Sequence, residues 1–253
     1  MVWALEVVCG VFIATLISLE VGFRLGQRDA QRAPLAHEGV SAIEASAFAI
    51  LSLLLGFSFA GAQSRLESKR NLILQEANSI SSAYARVDLL PNEAQPAIRQ
   101  QYARMLRARL QAYEHRNDSV VAQTDFRLVA EAQQDIWTLS VRAVASGPNQ
   151  VAPLVLSSVN QMMDASAARS VTFQTFLPSL IVVLLVTGAL MSGLLAGYAM
   201  VRRGRRSWFH FAVYAGLIAL TFYVVLDLDH PQFGFINISP AYQQLMELQS
   251  TIK

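Results

Sequence analysis

The 253-residue sequence is poor in the residues from which disulfides and metal sites are built. It has a single cysteine, Cys9, which rules out a disulfide within the chain and leaves only a bridge between subunits open. One thiol cannot build a cysteine-rich zinc site, and the four histidines are scattered without the spacing of metal ligands. We therefore expect no metal ion and no cofactor.

Recognisable catalytic motifs are missing as well. The sequence has no glycine-rich phosphate-binding loop, no GxSxG turn and no HExxH helix. The net charge of +2 gives no overall attraction for nucleic acid. Basic residues at 99, 104, 107 and 109 alternate with apolar ones, which is typical of the solvated face of a helix. We expect neither an enzyme nor a nucleic-acid-binding protein.

Charged residues are scarce and long apolar runs take their place. Only 15% of residues are charged and 53% are hydrophobic, which is too apolar for a soluble domain of this length. Four runs reach the roughly 20 residues that a helix needs to cross a bilayer: residues 2–23, 40–62, 176–201 and 208–226. The first run has neither a basic start nor a small-residue cleavage pattern, so we expect a retained span rather than a signal peptide.

The arginines predict how the spans are oriented. Three arginines follow the first span within residues 24–32, and RRGRR at 202–206 joins the last two spans. Both connections are expected on the cytoplasmic side of the membrane. Both termini and the long middle segment would then lie outside the cytoplasm. Arg65, Lys69 and Arg70 follow the second span and oppose this orientation, but charges in long loops have little influence.

The middle segment, residues 63–172, reads as helical throughout. Apolar residues recur at steps of three and four from Leu66 to Val87, so the helix of the second span should continue without a break to about Leu90. Three further helices follow, for which Asn92 and Thr124 are the predicted caps of the first two. The only candidate strand is GFINI at 234–238.

These features predict an all-α membrane protein with four transmembrane helices and an extramembrane helical bundle between spans two and three. We divide the chain into a first transmembrane hairpin (1–62), the helical domain (63–172), a second hairpin (173–226) and a tail with a short helix (227–253).

The second span carries small and polar residues along one side. At 100° per residue these fall within a sector of about 120° and are the candidates for lining a narrow water path: Ser41, Glu44, Phe48, Ser52, Gly56, Phe59 and Gln63. Close packing against another helix explains the same pattern. Glu44, with Glu6 and Glu20 of the first span, is expected to face protein, water or lipid headgroups, because a carboxylate in hydrocarbon is costly.

Two further groups of residues are candidates for function or packing. The charged residues at the ends of the second and fourth spans could line a vestibule: Arg65, Lys69, Arg70, Asp227 and Asp229. The third span carries Ala189, Gly193 and Gly197 one turn apart, a spacing that lets helix backbones approach within a subunit or between subunits.

Two segments resemble a known family. LLLGFSFAGAQSRLESKRNLILQEANSISSAYARVDLLP (53–91) and DLDHPQFGFINIS (227–239) are similar to bacterial membrane proteins labelled "bestrophin-like". The resemblance covers nearly the whole chain and implies a location in the bacterial inner membrane. It implies a likeness to bestrophins, pentameric anion channels with four spans per subunit and a pore lined by the second. The bestrophin calcium clasp has no counterpart in this sequence.

The leading hypothesis is an oligomeric ion channel in the lipid bilayer, with self-association around second spans and inorganic ions as the permeating species. The family label and the cations near the presumed axis favour anions over cations. The alternative is a membrane sensor or scaffold whose helical domain binds a ligand or a partner protein. A transporter with paired halves is a third reading, disfavoured because the two hairpins share no sequence similarity.

Overall fold

A computed structural model of the chain describes residues 2–32, 40–146, 150–173, 175–201, 207–231, 235–236 and 238–252. Within these ranges the protein is almost entirely α-helical and contains no strand. A 3₁₀ helix at Arg86–Leu89 follows the second α-helix. The α-helices are α1 (Val2–Arg32), α2 (Val40–Ala85), α3 (Gln95–Glu114), α4 (Ser119–Ala145), α5 (Ala152–Phe173), α6 (Ser179–Met200), α7 (Trp208–Asp229) and α8 (Ser239–Thr251).

Four helices are long and apolar enough to cross a membrane, namely α1, α2, α6 and α7. This confirms the four predicted spans. α2 is continuous for 46 residues, which confirms the unbroken helix expected from the sequence. Because a bilayer takes roughly 20 residues of a helix, and because charged residues begin at Arg65, we assign 40–62 as its membrane part.

The helices form two compact units. The first comprises Met1–Leu66 and Phe176–Ile236, and the second comprises Glu67–Thr175 and Asn237–Lys253. The first unit therefore contains the apolar helices. The second contains the middle segment together with α8, and α2 contributes residues to both.

The first unit is organised around α1, which packs along α6 and α7. Glycines set the approach of α1 and α6: a Cβ built on Gly197 would lie 1.9 Å from the Leu19 carbonyl oxygen, and one on Gly22 would lie 1.9 Å from that of Leu194. Gly193 faces Thr15 and Ser18, and Ala189 is buried nearby in an apolar core. The small residues of α6 thus pack within the subunit, where only residues without a large side chain fit.

The second unit is a helical bundle in which α3 packs on α4 and α8, and α4 packs on α5. Apolar side chains from each of its long helices fill the core: Ile73, Ile98, Tyr102, Met105, Leu106, Ile136 and Met162. The candidate strand at 234–238 is not formed at Phe235, Ile236 or Ile238, the residues of that segment that the structure describes.

Both predicted helix caps are wrong. α3 begins at Gln95 with Ala94 as N-cap, and the Asn92 side-chain oxygen Oδ1 accepts a hydrogen bond from Gln95 Nε2. α4 begins five residues before Thr124, because the Asp118 carboxylate accepts from the backbone N–H groups of Val120 and Val121. Thr124 lies inside α4 and donates to the Val120 carbonyl. A carboxylate at the helix start satisfies two donors that would otherwise be orphaned.

Candidate functional site

The membrane part of α2 has a packed side. Glu44, Leu51, Ser58 and Ala62 are buried and recur at spacings of seven and four, which places them along one stripe of the helix. Leu51 packs in the apolar core that α6 and α7 form. This side of α2 therefore meets its own chain.

A second side of α2 carries most of the residues predicted to line a water path. Ser52, Gly56, Phe59 and Gln63 are all exposed in the single chain. A Cβ added to Gly56 would have no neighbour within 4 Å. We call these four residues the small-polar face. Among the residues that the structure describes, none covers this face.

Three other candidates of the same predicted stripe are placed differently. Phe48 is half-buried and its ring meets that of Tyr214 edge-on, with centroids 6.3 Å apart. Glu44 is only 8% exposed and lies on the packed side, and its Oε1 has no hydrogen-bond partner among the described residues. The side chain of Ser41 is outside the described part of the structure. The predicted stripe is thus divided between an open and a closed side of the helix.

A third side of α2 exposes large apolar side chains, and we call it the large-apolar face. Its members are Ile43, Ile50, Leu53 and Phe57. By helical spacing it lies next to the small-polar face. Such a face suits contact with lipid or with a second copy of the chain.

The acidic residues at the end of α7 are occupied by local partners. Asp229 Oδ1 accepts a hydrogen bond from Arg65 Nε at 2.6 Å, and its Oδ2 accepts from the backbone N–H of Leu177 at 2.8 Å. The Asp227 carboxylate accepts from the backbone N–H groups of Phe235 and Ile236 at 3.0 and 2.9 Å. Both carboxylates are buried. Their contacts are those of groups that hold chain segments together.

The three cations beyond the second span lie on different sides of α2. Arg65 and Lys69 belong by helical spacing to the packed side, and Lys69 is 2% exposed. Arg70 is half-buried and projects toward the same side as Ser52 and Gln63. Only Arg70 of the predicted vestibule charges continues the small-polar face.

The second unit buries a cluster of charges that the sequence did not reveal. Glu76 accepts hydrogen bonds from Arg109 Nη2, at 2.6 Å, and from Arg169 Nη1. Arg109 also donates to Ser166, and Arg169 donates to the Tyr242 hydroxyl. We call these five residues the buried charge cluster. The prediction that Arg109 lies on a solvated face is wrong, because its guanidinium is buried against this carboxylate.

Electrostatics in the cluster follow from burial and pairing. Burial disfavours a charged carboxylate, but the charges of Arg109 and Arg169 outweigh it and lower the pKa of Glu76. Burial raises the pKa of the Tyr242 hydroxyl, which therefore stays neutral. One carboxylate thus faces two guanidinium groups. The only hint in the sequence was that Glu76 lies next to the apolar stripe of α2.

A shallow groove of about 500 Å³ opens on the second unit. Its lining comes from the start of α3 and the turn before it: Asn92, Gln95, Pro96, Arg99, Gln100 and Ala103. The described residues contain no group of three or more His, Cys, Asp or Glu side chains that could hold a metal ion.

Comparisons with known proteins agree with this architecture. The family model of the bestrophin-like domain matches residues 9–242. Three crystal structures of a bacterial bestrophin homologue from Klebsiella pneumoniae share the fold at low identity. A variant of that homologue with one tryptophan replaced by alanine is 15% identical, with a TM-score of 0.70 and coverage of 98% of this chain and 96% of that one.

For a second variant, in which one tyrosine is replaced by alanine, the identity is 10% and the TM-score 0.69, covering 96% and 99% of the two chains. The structure of the homologue that was phased on zinc is 13% identical, with a TM-score of 0.66 and coverage of 96% of this chain and 98% of that one. No curated protein matches the sequence. Since the family model matches most of its length, the chain belongs to the bestrophin-like family of membrane proteins.

Proposed function

We propose that the protein is an oligomeric ion channel whose conduction path runs along the small-polar face of α2. The observation that carries this proposal is that Ser52, Gly56, Phe59 and Gln63 are exposed although a neighbouring side of α2 is packed. A face of small and polar groups inside a membrane span is costly against lipid and is suited to water.

The neighbouring large-apolar face supplies the contact that assembly needs. Leu53 and Phe57 would pack against the next subunit, which turns the small-polar face of each copy toward a common axis. Closed rotational symmetry repeats one such contact around a ring. Five subunits are what the family resemblance implies. Phe59, as the largest side chain of the small-polar face, would form the constriction.

We further propose that the path prefers anions. Glu44 faces the packed side, and Asp227 and Asp229 are held by local partners, so these carboxylates are withdrawn from the path. Arg70 continues the small-polar face, while Glu67 lies beside it as the nearest competing charge. A ring of cations attracts anions to a pore.

Cysteine accessibility tests the path. In a Cys9→Ala background, Ser52→Cys and Gln63→Cys should allow a charged thiol reagent to block ion flux into liposomes. Leu53→Cys and Phe57→Cys are the matched controls on the large-apolar face, and the reagent should not block ion flux through these variants. Flux blocked only in the controls, or no flux from a folded oligomer at any voltage, would refute conduction along this face.

Selectivity has a separate test. Arg70→Gln should shift the reversal potential in a salt gradient toward cations, and Glu67→Gln should shift it further toward anions. Opposite shifts would show that the path prefers cations.

The groove on the second unit favours one alternative, a sensor that binds a small polar ligand. Gln95 and Arg99 line it. A Gln95→Ala, Arg99→Ala variant with unaltered flux and gating would exclude the groove from function. A monomer or dimer without flux would favour the sensor.

A further inference from the structure

A groove of about 330 Å³ lies on the first unit between α1 and the start of α7. Its floor is apolar, formed by Leu16, Ile17 and Val21 of α1. Glu20, Arg24 and Trp208 complete the lining. The groove is therefore apolar along one part and charged at one end, within a unit whose helices cross the membrane.

Arg24 is held at the charged end with most of its donors available. Glu20 Oε1 accepts from Arg24 Nε at 2.7 Å, and no other partner of Arg24 is found among the described residues. Its side chain is 70% exposed. The Nε contact orients the guanidinium, while the two terminal amino groups remain able to bind an anion in bidentate fashion.

Arg28 lies one turn beyond Arg24 on the same side of α1 and is exposed. Glu20 offsets one of the two cations, and the row Glu20, Arg24, Arg28 keeps a net charge of +1. Asp29 accepts a hydrogen bond from the Tyr198 hydroxyl on another side of the helix. The row can therefore attract an anion.

Trp208 places the groove at the membrane surface. Its indole is 57% exposed, and its ring meets the fully buried Phe211 edge-on at 5.9 Å, which fixes its position. Exposed tryptophans at the ends of spans lie at headgroup level. Arg24 and Arg28 follow the apolar part of α1 and thus lie at the level where phosphates of the same leaflet are found.

We propose that this groove is a binding site for an anionic phospholipid. An acyl chain lies along Leu16, Ile17 and Val21, Trp208 flanks the glycerol region, and the phosphate binds Arg24 and Arg28. A lipid fits better than a soluble anion because the apolar wall and the cations are continuous, and basic residues beside spans attract anionic headgroups. The site is separate from the α2 path and does not depend on the proposed conduction.

Tryptophan quenching tests the proposal on the full chain. With Trp3→Phe and Trp137→Phe, Trp208 is the only tryptophan and can be excited selectively over the tyrosines. In vesicles of mixed phosphatidylglycerol and phosphatidylcholine, brominated phosphatidylglycerol should quench Trp208 several times more effectively than brominated phosphatidylcholine at equal fraction. The substitutions Arg24→Gln and Arg28→Gln together should remove this preference. Each arginine is expected to contribute on the order of fivefold to the affinity for the anionic lipid. Arg127→Gln with Arg142→Gln, two exposed arginines of α4, is the matched control and should retain it.

Other occupants of the groove give different results. Equal quenching by both lipids in the parent protein would overturn the proposal. Loss of the preference on adding millimolar inorganic phosphate would assign the arginines to a soluble anion. Cross-links between copies through Ile17→Cys in a Cys9→Ala background would assign the groove to a second subunit. If the tryptophan variants do not fold, native mass spectrometry of the otherwise unchanged protein must find phosphatidylglycerol retained over phosphatidylcholine, and less so after the arginine substitutions.

Discussion

Arg65 of α2 and Asp229 of α7 form an ion pair within the first unit, with Nε and Oδ1 2.6 Å apart. The Asp229 side chain is only 2% exposed, and its second oxygen accepts the N–H of Leu177 before α6. One carboxylate thus joins three segments of the membrane unit that are distant in sequence. A role in holding these segments differs from a role in a vestibule, and the two can be separated by experiment.

We expect Arg65→Gln to destabilise the first unit, because Asp229 would remain buried without its cation. Removing one partner of a buried pair costs about 3 to 5 kcal/mol, and partial exposure of Arg65 favours the lower end. Unfolding in mixed detergent micelles measures this. Asp229→Asn should cost less when Arg65→Gln is already present, and Arg24→Gln is the exposed-pair control. Normal stability with altered ion selectivity would instead assign Arg65 to the path.

Glu76 should make the stability of the second unit depend on pH. Its pKa in the folded protein is lower than the ordinary 4.5, so the stabilisation is complete above that value and is lost as the pH falls through the lower folded pKa. We expect Glu76→Gln to lose about 3 to 5 kcal/mol at neutral pH, since Arg109 and Arg169 stay buried. The variant should also lack the acid-sensitive contribution of Glu76. Chemical unfolding at pH 7 and in stepwise acidification measures both effects. An acid profile unchanged from that of the parent would contradict the assignment.

Tyr242 ties α8 to the buried charge cluster. Its hydroxyl accepts from Arg169, and its ring stacks on Tyr113 with centroids 3.7 Å apart. Tyr242→Phe keeps the stacking and removes the acceptor, at a cost of about 1 to 3 kcal/mol. Amide hydrogen exchange should therefore accelerate in Ser239–Thr251. Tyr198→Phe, which removes an exposed hydroxyl bonded to Asp29, is the control. Unchanged exchange in α8 would mean that the ring alone holds the helix.

Gly197 should not tolerate a side chain. An alanine Cβ would lie 1.9 Å from the Leu19 carbonyl oxygen, so Gly197→Ala must separate α1 from α6. We expect a loss of about 3 kcal/mol or more, at the upper end for overpacking. Gly10→Ala is the matched control in α1, because its Cβ would meet nothing within 4 Å. Its effect should stay under about 1 kcal/mol, since alanine favours a helix. Equal thermal stability of the two variants would refute the close approach.

Local sequence patterns predicted the helices well but not all their ends. The step of three and four in the apolar residues from Leu66 onward identified α2 as one helix through Ala85. The same reasoning missed the Asp118 cap, because the apolar pattern of α4 becomes clear only several residues after the helix starts. Patterning reports which residues share a face, and it is weakest where a helix begins.

The placement of the candidate pore-lining residues on α2 follows only in part from the sequence. Ser52, Gly56, Phe59 and Gln63 share a face, as their spacing requires, and all four are exposed in the described part of the chain. Glu44 lies at the edge of that sector and is buried on the packed side, whose Leu51 lies in an apolar core with residues of α6 and α7. The angular position of a residue around one helix does not predict where a neighbouring helix packs.

The amino-acid sequence by itself determined that the protein is helical, crosses the membrane with four spans and continues its second span as a single helix, because apolar length and periodicity are local properties. Only the tertiary structure decided which charges are buried. Glu76 meets Arg109 and Arg169 from positions 33 and 93 residues away, and Arg65 meets Asp229 across 164 residues. Each of these buried carboxylates is paired with a cation, and such partners are brought together by packing rather than by neighbouring sequence.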